Sequence, residues 1–237
     1  MTHLITAVIP VYNDIESLKT AIPKSISALE KFGRDFEIII AEDGSTDGSR
    51  EFAEEYGKKD SRVRLLHSDE RQGRGRALNR ALSEAKGDIF CYYDVDLATD
   101  IKHLPELISR IENGADVSTG SRLMKNSDIK RSGDREIASR GYNFLVRMFL
   151  KSKLHDHQCG FKAYKTEVLK NLVQKIQAPH WFWDTESLIL AQRAGCRVEE
   201  FPVVWTQGPG TTVKFKDVYN MGMDILKLWR RLHAEKD

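Results

Sequence analysis

The chain has 237 residues, enough for one domain with a sizeable core. Its 37 Lys and Arg against 35 Asp and Glu leave a formal charge of +2, so composition supplies no basic field for nucleic acid. No run of about 18 apolar residues exists to span a bilayer, and the first residues lead straight into an apolar run, so no signal peptide is expected.

Apolar runs alternate with helical patterns through the first half, which predicts βα units and a mainly parallel α/β sheet with helices on both faces. Strands are expected near 4–9, 36–41, 62–67, 88–93 and 116–120, with helices near 14–31, 47–58, 75–86 and 101–113. Pro23 either kinks the first helix or begins its second part. Thr46-Asp47-Gly48-Ser49 reads as the capped start of the second. The second half predicts a helix from Arg135 to Lys151, a polar stretch His155-Asp156-His157-Gln158, and a short strand at Phe161–Tyr164. A helix from Asp184 to Ala194 follows, then one strand over Arg197–Trp205 that tolerates Pro202 at an edge. A loop over 207–212 leads to a closing amphipathic helix at about 215–233. Cys91, Cys159 and Cys196 are odd in number and form no Cys-x-x-Cys, as expected of reduced thiols in a cytoplasmic protein.

Chemistry gathers where the predicted strands end. Ile89–Tyr93 closes in Asp94-Val95-Asp96, two hard oxygen donors suited to Mg²⁺ or Mn²⁺ carrying a diphosphate. The first strand closes in Pro10-Val11-Tyr12-Asn13-Asp14 and the second in Glu42-Asp43-Gly44-Ser45. Taken singly, each is an ordinary turn; three at one edge outline a nucleotide-sugar site. Gly73-Arg74-Gly75-Arg76 lacks the ending of a P-loop, and Leu78 breaks the dinucleotide fingerprint. A glycine-rich helix start that lets backbone approach a nucleotide and simple helix capping both remain open for it.

Together, Val8–Asp14, Glu42–Gly48, Gly73–Ala77 and Asp94-Val95-Asp96 resemble, in order and spacing, the inverting GT-A glycosyltransferases of family 2. Gly120-Ser121-Arg122, Arg135–Asn143, Asp156–Lys162 and Trp183–Glu186 resemble the dolichyl-phosphate mannosyl- and glucosyltransferase branch, and the likeness runs to about residue 230. The resemblance implies a single GT-A domain over 1–237. Pro10, Tyr12, Asn13, Asp14, Asp43, Arg76 and Asp94 would hold the nucleotide-sugar, Asp43 at the base edge. Asp96 would hold the metal, with Asp94 as second ligand or ribose partner, and Arg122 would face the diphosphate. Arg135, Ser139 and Arg140, with Lys214 in the late loop, would take the acceptor phosphate.

The acceptor decides the mechanism. A hydroxyl needs a general base, and in this family an acid near Asp184 or Glu186 supplies it. A polyprenyl phosphate, largely dianionic at neutral pH, needs only cations to place it. The reading is therefore transfer of mannose or glucose from a nucleotide diphosphate to a dolichyl or polyprenyl phosphate. Rivals are a soluble family member with a hydroxyl acceptor and a non-catalytic nucleotide-sugar-binding subunit. Ala98, where mannosyl members often carry Gln, tilts toward glucose, as does the Trp205-Thr206 context. Lys130 and Arg131 are expected on a solvated face, and His155 and His157 in a polar loop rather than at a metal. A cytoplasmic enzyme without a spanning helix reaches its lipid at the membrane surface or through a membrane partner. The closing helix, with Met221, Ile225, Leu228, Trp229 and Leu232, and the segment 135–151 are the candidates for that contact.

Overall fold

The structure is a computed structural model that describes residues 3–208 and 215–234. The first half builds β1 (Ile5–Val11), α1 (Ile15–Phe32), β2 (Phe36–Glu42), α2 (Ser49–Lys59), β3 (Val63–Leu66), α3 (Arg74–Glu84) and β4 (Ile89–Tyr93). A 3₁₀ turn at Ile101–His103 leads into α4 (Leu104–Glu112) and β5 (Val117–Ser121). Then come β6 (Asp128–Lys130), α5 (Gly133–Leu150), β7 (Phe161–Lys165), α6 (Thr166–Val173), α7 (Trp183–Arg193), β8 (Val198–Pro202), β9 (Val204–Thr206) and α8 (Phe215–Ala234).

Seven strands form one sheet in the order β3-β2-β1-β4-β7-β5-β8. All of its pairs are parallel except those of β7, which runs against both β4 and β5. The strands are apolar on both sides because both faces are covered. Ile5, Ala7, Ile9 and Val11 pack with α1, α2 and α4, whereas Val8, Ile39, Phe90 and Tyr92 pack with α3 and α5–α8. In register, Val8 lies opposite Tyr92 and Val11 opposite Glu42. β1 and β2 therefore end level while β4 stops earlier, which leaves Asp94 and Asp96 beside the end of β1, and the order turns back at β1, where such sheets bind ligands.

Several local outcomes differ from the sequence expectation. The strand expected over Arg197–Trp205 is two: Pro202 closes β8, the edge strand of the main sheet, as expected of a tolerated edge proline, and Val203 donates its amide to Ser121 O at 3.2 Å. Past it the chain leaves the main sheet, and β9 pairs with β6 in a small second sheet. Pro23 sits inside an unbroken α1. Helix α8 turns its apolar stripe inward: Met221, Ile225, Leu228 and Leu232 are buried, so that face is spent on the domain rather than on a lipid surface. Helix α5 does the opposite. It buries Tyr142, Val146 and Leu150, and it also leaves Ile137 73%, Phe144 61% and Met148 51% exposed. No helix among the described residues is long and apolar enough to cross a membrane.

Candidate active site

At the end of β1 the backbone turns through Asn13, a non-glycine residue at φ 50°. The turn is held from both sides: Asn13 N donates to Ser45 Oγ at 2.9 Å, and Thr46 N donates to Asn13 Oδ1 at 2.8 Å. Pro10 is buried in the strand, and Tyr12 is exposed with the Arg71 guanidinium 4.0 Å above its ring. Asp14 caps α1 by accepting from Ser17 N at 3.2 Å. Asp47, rather than a side chain at the cap position itself, ties α1 to α2, accepting from Ile15 N at 2.9 Å and from the Ser49 hydroxyl at 2.6 Å.

At the end of β2 the two acids are committed to the protein. Glu42 is fully buried and accepts from Ser45 N and from the His67 ring. Asp43, 4% exposed, accepts from Gln72 N and from Gly73 N at 2.7 Å, and its Oδ1 also meets Arg80 at 3.3 Å. Asp43 thus organises the 70–73 segment, which can approach because Gly44 carries no side chain. A Cβ there would lie 2.8 Å from Arg71 N, and Gly44 sits at φ 79°.

The glycine-rich start of α3 answers a packing demand. At Gly73 a Cβ would lie 2.3 Å from His180 Nδ1, and at Gly75 one would lie 2.8 Å from Trp183. Of the two arginines there, Arg76 is exposed and its amide donates to Pro179 O at 3.2 Å. Arg74 is the one that reaches the acids of β4. Its Nε and Nη2 donate to Asp94 Oδ1 at 3.1 and 2.8 Å, and Nη1 donates to Asp184.

Asp94 stands against the backbone of Gly160, and its own amide donates to Gly160 O at 3.1 Å. Asp96 accepts from Ala98 N at 3.0 Å, and Leu97 between them is held at φ 50°. The backbone of Gly208 closes over Asp96, where a Cβ would lie 3.2 Å from Oδ2. Asp96 keeps one side open to solvent. Its carboxyl is nonetheless raised, first by loss of water and then by the charges of Asp94 and Asp14. Carboxylates crowded in this way fit a hard divalent cation, which relieves the repulsion. Among the described residues no group of three or more His, Cys, Asp or Glu side chains forms a protein-only cage. Asp94 and Asp96 would be the protein's ligands, with oxygens of a bound diphosphate and water completing the shell.

On the far side, Arg122 follows β5 and is clamped by Asp156, which is fully buried. Nε and Nη2 donate at 2.7 and 2.9 Å, and the Arg122 amide adds a third bond at 3.0 Å. Burial alone would raise the Asp156 carboxyl, yet Arg122 holds it far below the usual carboxylate range. Arg122 lies 5.7 Å from the centre of the Trp205 ring, and it feels the charge of Asp94 as well as that of Asp156. His157 is a structural residue: its ring meets Asn143 Oδ1 at 2.7 Å and Ser152 Oγ at 2.6 Å, and burial lowers its pKa to about 3. His155 pairs with Glu200 at 2.8 Å.

The acceptor-side residues lie on α5. Arg135 is half-buried in its first turns, and the Ser139 hydroxyl is buried without a partner among the described residues. Arg140 is exposed and donates to Glu136 at 2.6 Å. Lys214 lies outside the described residues. Arg131 overturns its expected solvated position: its side chain is only 4% exposed and pairs with Glu136, while Lys130 is exposed as expected.

Neither acid proposed as a base is free. Asp184, 3% exposed, accepts from Tyr92 Oη and Lys162 Nζ, both at 2.7 Å, and from Arg74. Burial would raise its carboxyl, but the two cations hold it below the usual range. Glu186, 2% exposed, accepts from the amides of Gln177 and Ala178 at 3.0 and 2.8 Å and from Arg231 of α8. Arg74, Tyr92, Lys162 and Arg80 were missed in the sequence. The one signal available was Lys162, a charge inside the otherwise apolar strand Phe161-Lys162-Ala163-Tyr164.

Residues 6–173 match the model of "Glycosyl transferase family 2". The chain belongs to that family. Over 232 residues it is 45% identical to the glycosyltransferase AglD of Haloferax volcanii, covering 96% of this chain and 37% of that protein. It thus spans about a third of that relative's length. It is 30% identical to a dolichyl-phosphate beta-glucosyltransferase of Dictyostelium discoideum, covering 94% of this chain and 73% of the relative. Among solved structures, glucosyl-3-phosphoglycerate synthase of Mycobacterium tuberculosis, in complex with Mn²⁺, UDP-glucose and phosphoglyceric acid, superposes with a TM-score of 0.69. That match is 21% identical and covers 94% of this chain and 77% of the other. A mannosyltransferase of Pyrobaculum calidifontis with GDP-mannose and Mn²⁺ gives 0.60 at 19% identity, covering 90% and 59%. These likenesses bear out the GT-A fold, a mostly parallel sheet flanked by helices.

Proposed function

We propose that residues 1–237 form one GT-A unit that moves a hexose, with inversion, from a nucleoside diphosphate to a dolichyl or other polyprenyl phosphate. The observation that carries this reading is the condition of Asp184 and Glu186. Both are buried and saturated by cations and amides, so neither stands ready to take a proton from a hydroxyl. A phosphate acceptor needs no such base, because its oxygen is already anionic. Glucose is favoured over mannose by Ala98 and by the dolichyl-phosphate glucosyltransferases among the relatives.

In this reading Tyr12, Asn13 and Asp14 border the nucleoside, and Asp43 holds the 72–73 backbone that forms its wall. Asp94 and Asp96 hold Mg²⁺ or Mn²⁺, which when bound supplies Lewis-acid stabilisation of charge on the leaving diphosphate. Arg122, aimed by Asp156, adds a fixed positive charge beside the acids. Arg135, Ser139 and Arg140, with Lys214, would receive the acceptor phosphate, for which the unpartnered Ser139 hydroxyl offers a donor. The protein would sit at the cytoplasmic face of a membrane. Ile137, Phe144 and Met148, spaced by seven and four residues, form an outward apolar stripe on α5, and the exposed Arg140 and Arg147 lie beside it.

The deciding experiment supplies radiolabelled UDP-glucose and GDP-mannose, with and without a polyprenyl phosphate and Mn²⁺. Label entering the organic phase from one donor supports the reading and names the sugar. Label that stays aqueous despite donor binding refutes it and points to a soluble acceptor.

A further inference from the structure

Resting on the metal site proposed above, we propose that Arg74 and Asp184 are positioning residues, a charged strut that fixes the carboxylate of Asp94 so that its Oδ2 is left for the cation. Both nearer nitrogens of Arg74 converge on Asp94 Oδ1, at 2.8 and 3.1 Å, and Oδ2 accepts no hydrogen bond from the described residues. The third nitrogen of the fork is spent on Asp184, 110 residues away in the chain. A planar guanidinium held at both ends cannot rotate, and so it fixes the position of the oxygen on which its two nitrogens converge. Its faces are enclosed as well, with the rings of Tyr92 and Trp181 at 5.1 and 5.5 Å.

Asp184 is a firm anchor because its second oxygen is nailed down independently. Tyr92 Oη and Lys162 Nζ both donate to Oδ1, and the fully buried Lys162 also donates to Cys159 O. Lys162 thereby ties the strut to the 157–160 segment, whose Gly160 backbone lies against the other flank of Asp94. Two cations balance two carboxylates in this set. The strut therefore orients Asp94 without adding net charge against an arriving metal diphosphate. Ligands held by such outer partners depend on them for metal affinity.

The test uses the full chain with Asp184→Asn and Arg74→Lys. Mn²⁺ is titrated into protein saturated with UDP or with GDP, free Mn²⁺ is read by electron paramagnetic resonance, and the thermal midpoint is taken on the same samples. The Mn²⁺ titration needs no acceptor, and transfer is read separately with a polyprenyl phosphate present. Both variants should bind Mn²⁺ about 10- to 100-fold more weakly, with transfer recovering as Mn²⁺ is raised. Nucleotide binding without metal should stay unchanged. A folded variant that binds Mn²⁺ like the wild type, yet loses transfer at every Mn²⁺ concentration, overturns the strut and places Asp184 in the chemistry. Should Asp184→Asn fail to fold for want of a counter-charge to Lys162, the charge-conserving Arg74→Lys decides alone, and wild-type Mn²⁺ affinity there overturns the proposal. Wild-type protein that binds no Mn²⁺ with either nucleotide would overturn the metal reading itself, which is a different result from a variant that matches the wild type.

Discussion

Gly160→Ala tests the placement of Asp94 with a single methyl group. At Gly160 a Cβ would lie 2.1 Å from Asp94 Oδ2, 2.5 Å from Cγ and 2.5 Å from Oδ1. All three carboxylate atoms are struck at once, so rotation of the carboxylate cannot relieve the clash. Restoring ordinary contact needs a shift of about 1 Å, either of Asp94 away from Arg74 or of the 159–161 backbone. The second route is resisted by the pairing of Phe161 with Tyr93 and by the bond from Asp94 N to Gly160 O. Overpacking of this kind costs about 1–3 kcal/mol, which for a chain of this size lowers the melting temperature by roughly 2–12 °C. A misplacement of about 1 Å at a reacting centre costs on the order of 100-fold in rate. The assay is sugar transfer against Mn²⁺ concentration, run beside a thermal melt. Transfer within about threefold of wild type at every Mn²⁺ level, well short of that loss, would refute the placement of Asp94 at the reacting centre.

Asp156→Asn leaves Arg122 buried without its counter-ion and should cost about 3–5 kcal/mol, read from urea unfolding at neutral pH. Because the Asp156 carboxyl is depressed in the fold, its contribution is complete above the unfolded value near 3.8 and fades below it; the variant should lack that part of the acid slope. The ring of His157, kept neutral down to about pH 3, destabilises the fold in a higher window, as the unfolded histidine takes up a proton below about 6.5. His157→Gln should flatten the fall of the urea midpoint between those two values, and a slope equal to wild type would count against the buried neutral ring. Glu186→Gln weakens the hold on Arg231, so the melting temperature should fall while transfer at a permissive temperature persists. Abolished transfer in a folded Glu186→Gln protein would restore that acid as a base.

The alternating sheet and its three polar strand ends were legible because they depend on short-range pattern: apolar runs closed by Asp, Asn, Gly and Ser. Asp94 and Asp96 belong to that pattern and lie where it puts them. What the sequence hid depends on long-range pairing. Arg74 stands beside two glycines that draw attention to the backbone, and its partner Asp184 is 110 positions away. Arg131 sits in a run of charged residues that reads as a wet surface, yet packing on α5 covers it. Helix α6, Thr166–Val173, is a short helix that follows directly on β7 and was read as no element. Pro202 was legible as an edge proline and lies in the edge strand β8, whereas the pairing of β9 with β6 in a second sheet joins segments far apart in the chain.

Strand β7 alone runs against its neighbours, and this divides the labour of the site. A parallel strand would enter from the opposite rim, whereas β7 begins at the rim where β4 ends, so Gly160 is delivered directly to Asp94. On the proposed nucleotide side, the ends of β1 and β2 precede β4 in the chain, and Asp94 and Asp96 follow directly on it. Arg122, α5 and Asp156 all lie between β4 and β7 in the chain, and the reversed strand ends that excursion by bringing it back against the acids. A change in the length of 151–160, which carries Asp156 and ends on Gly160, would therefore disturb Arg122 and Asp94 together, at the seam that the β4–β7 pair forms.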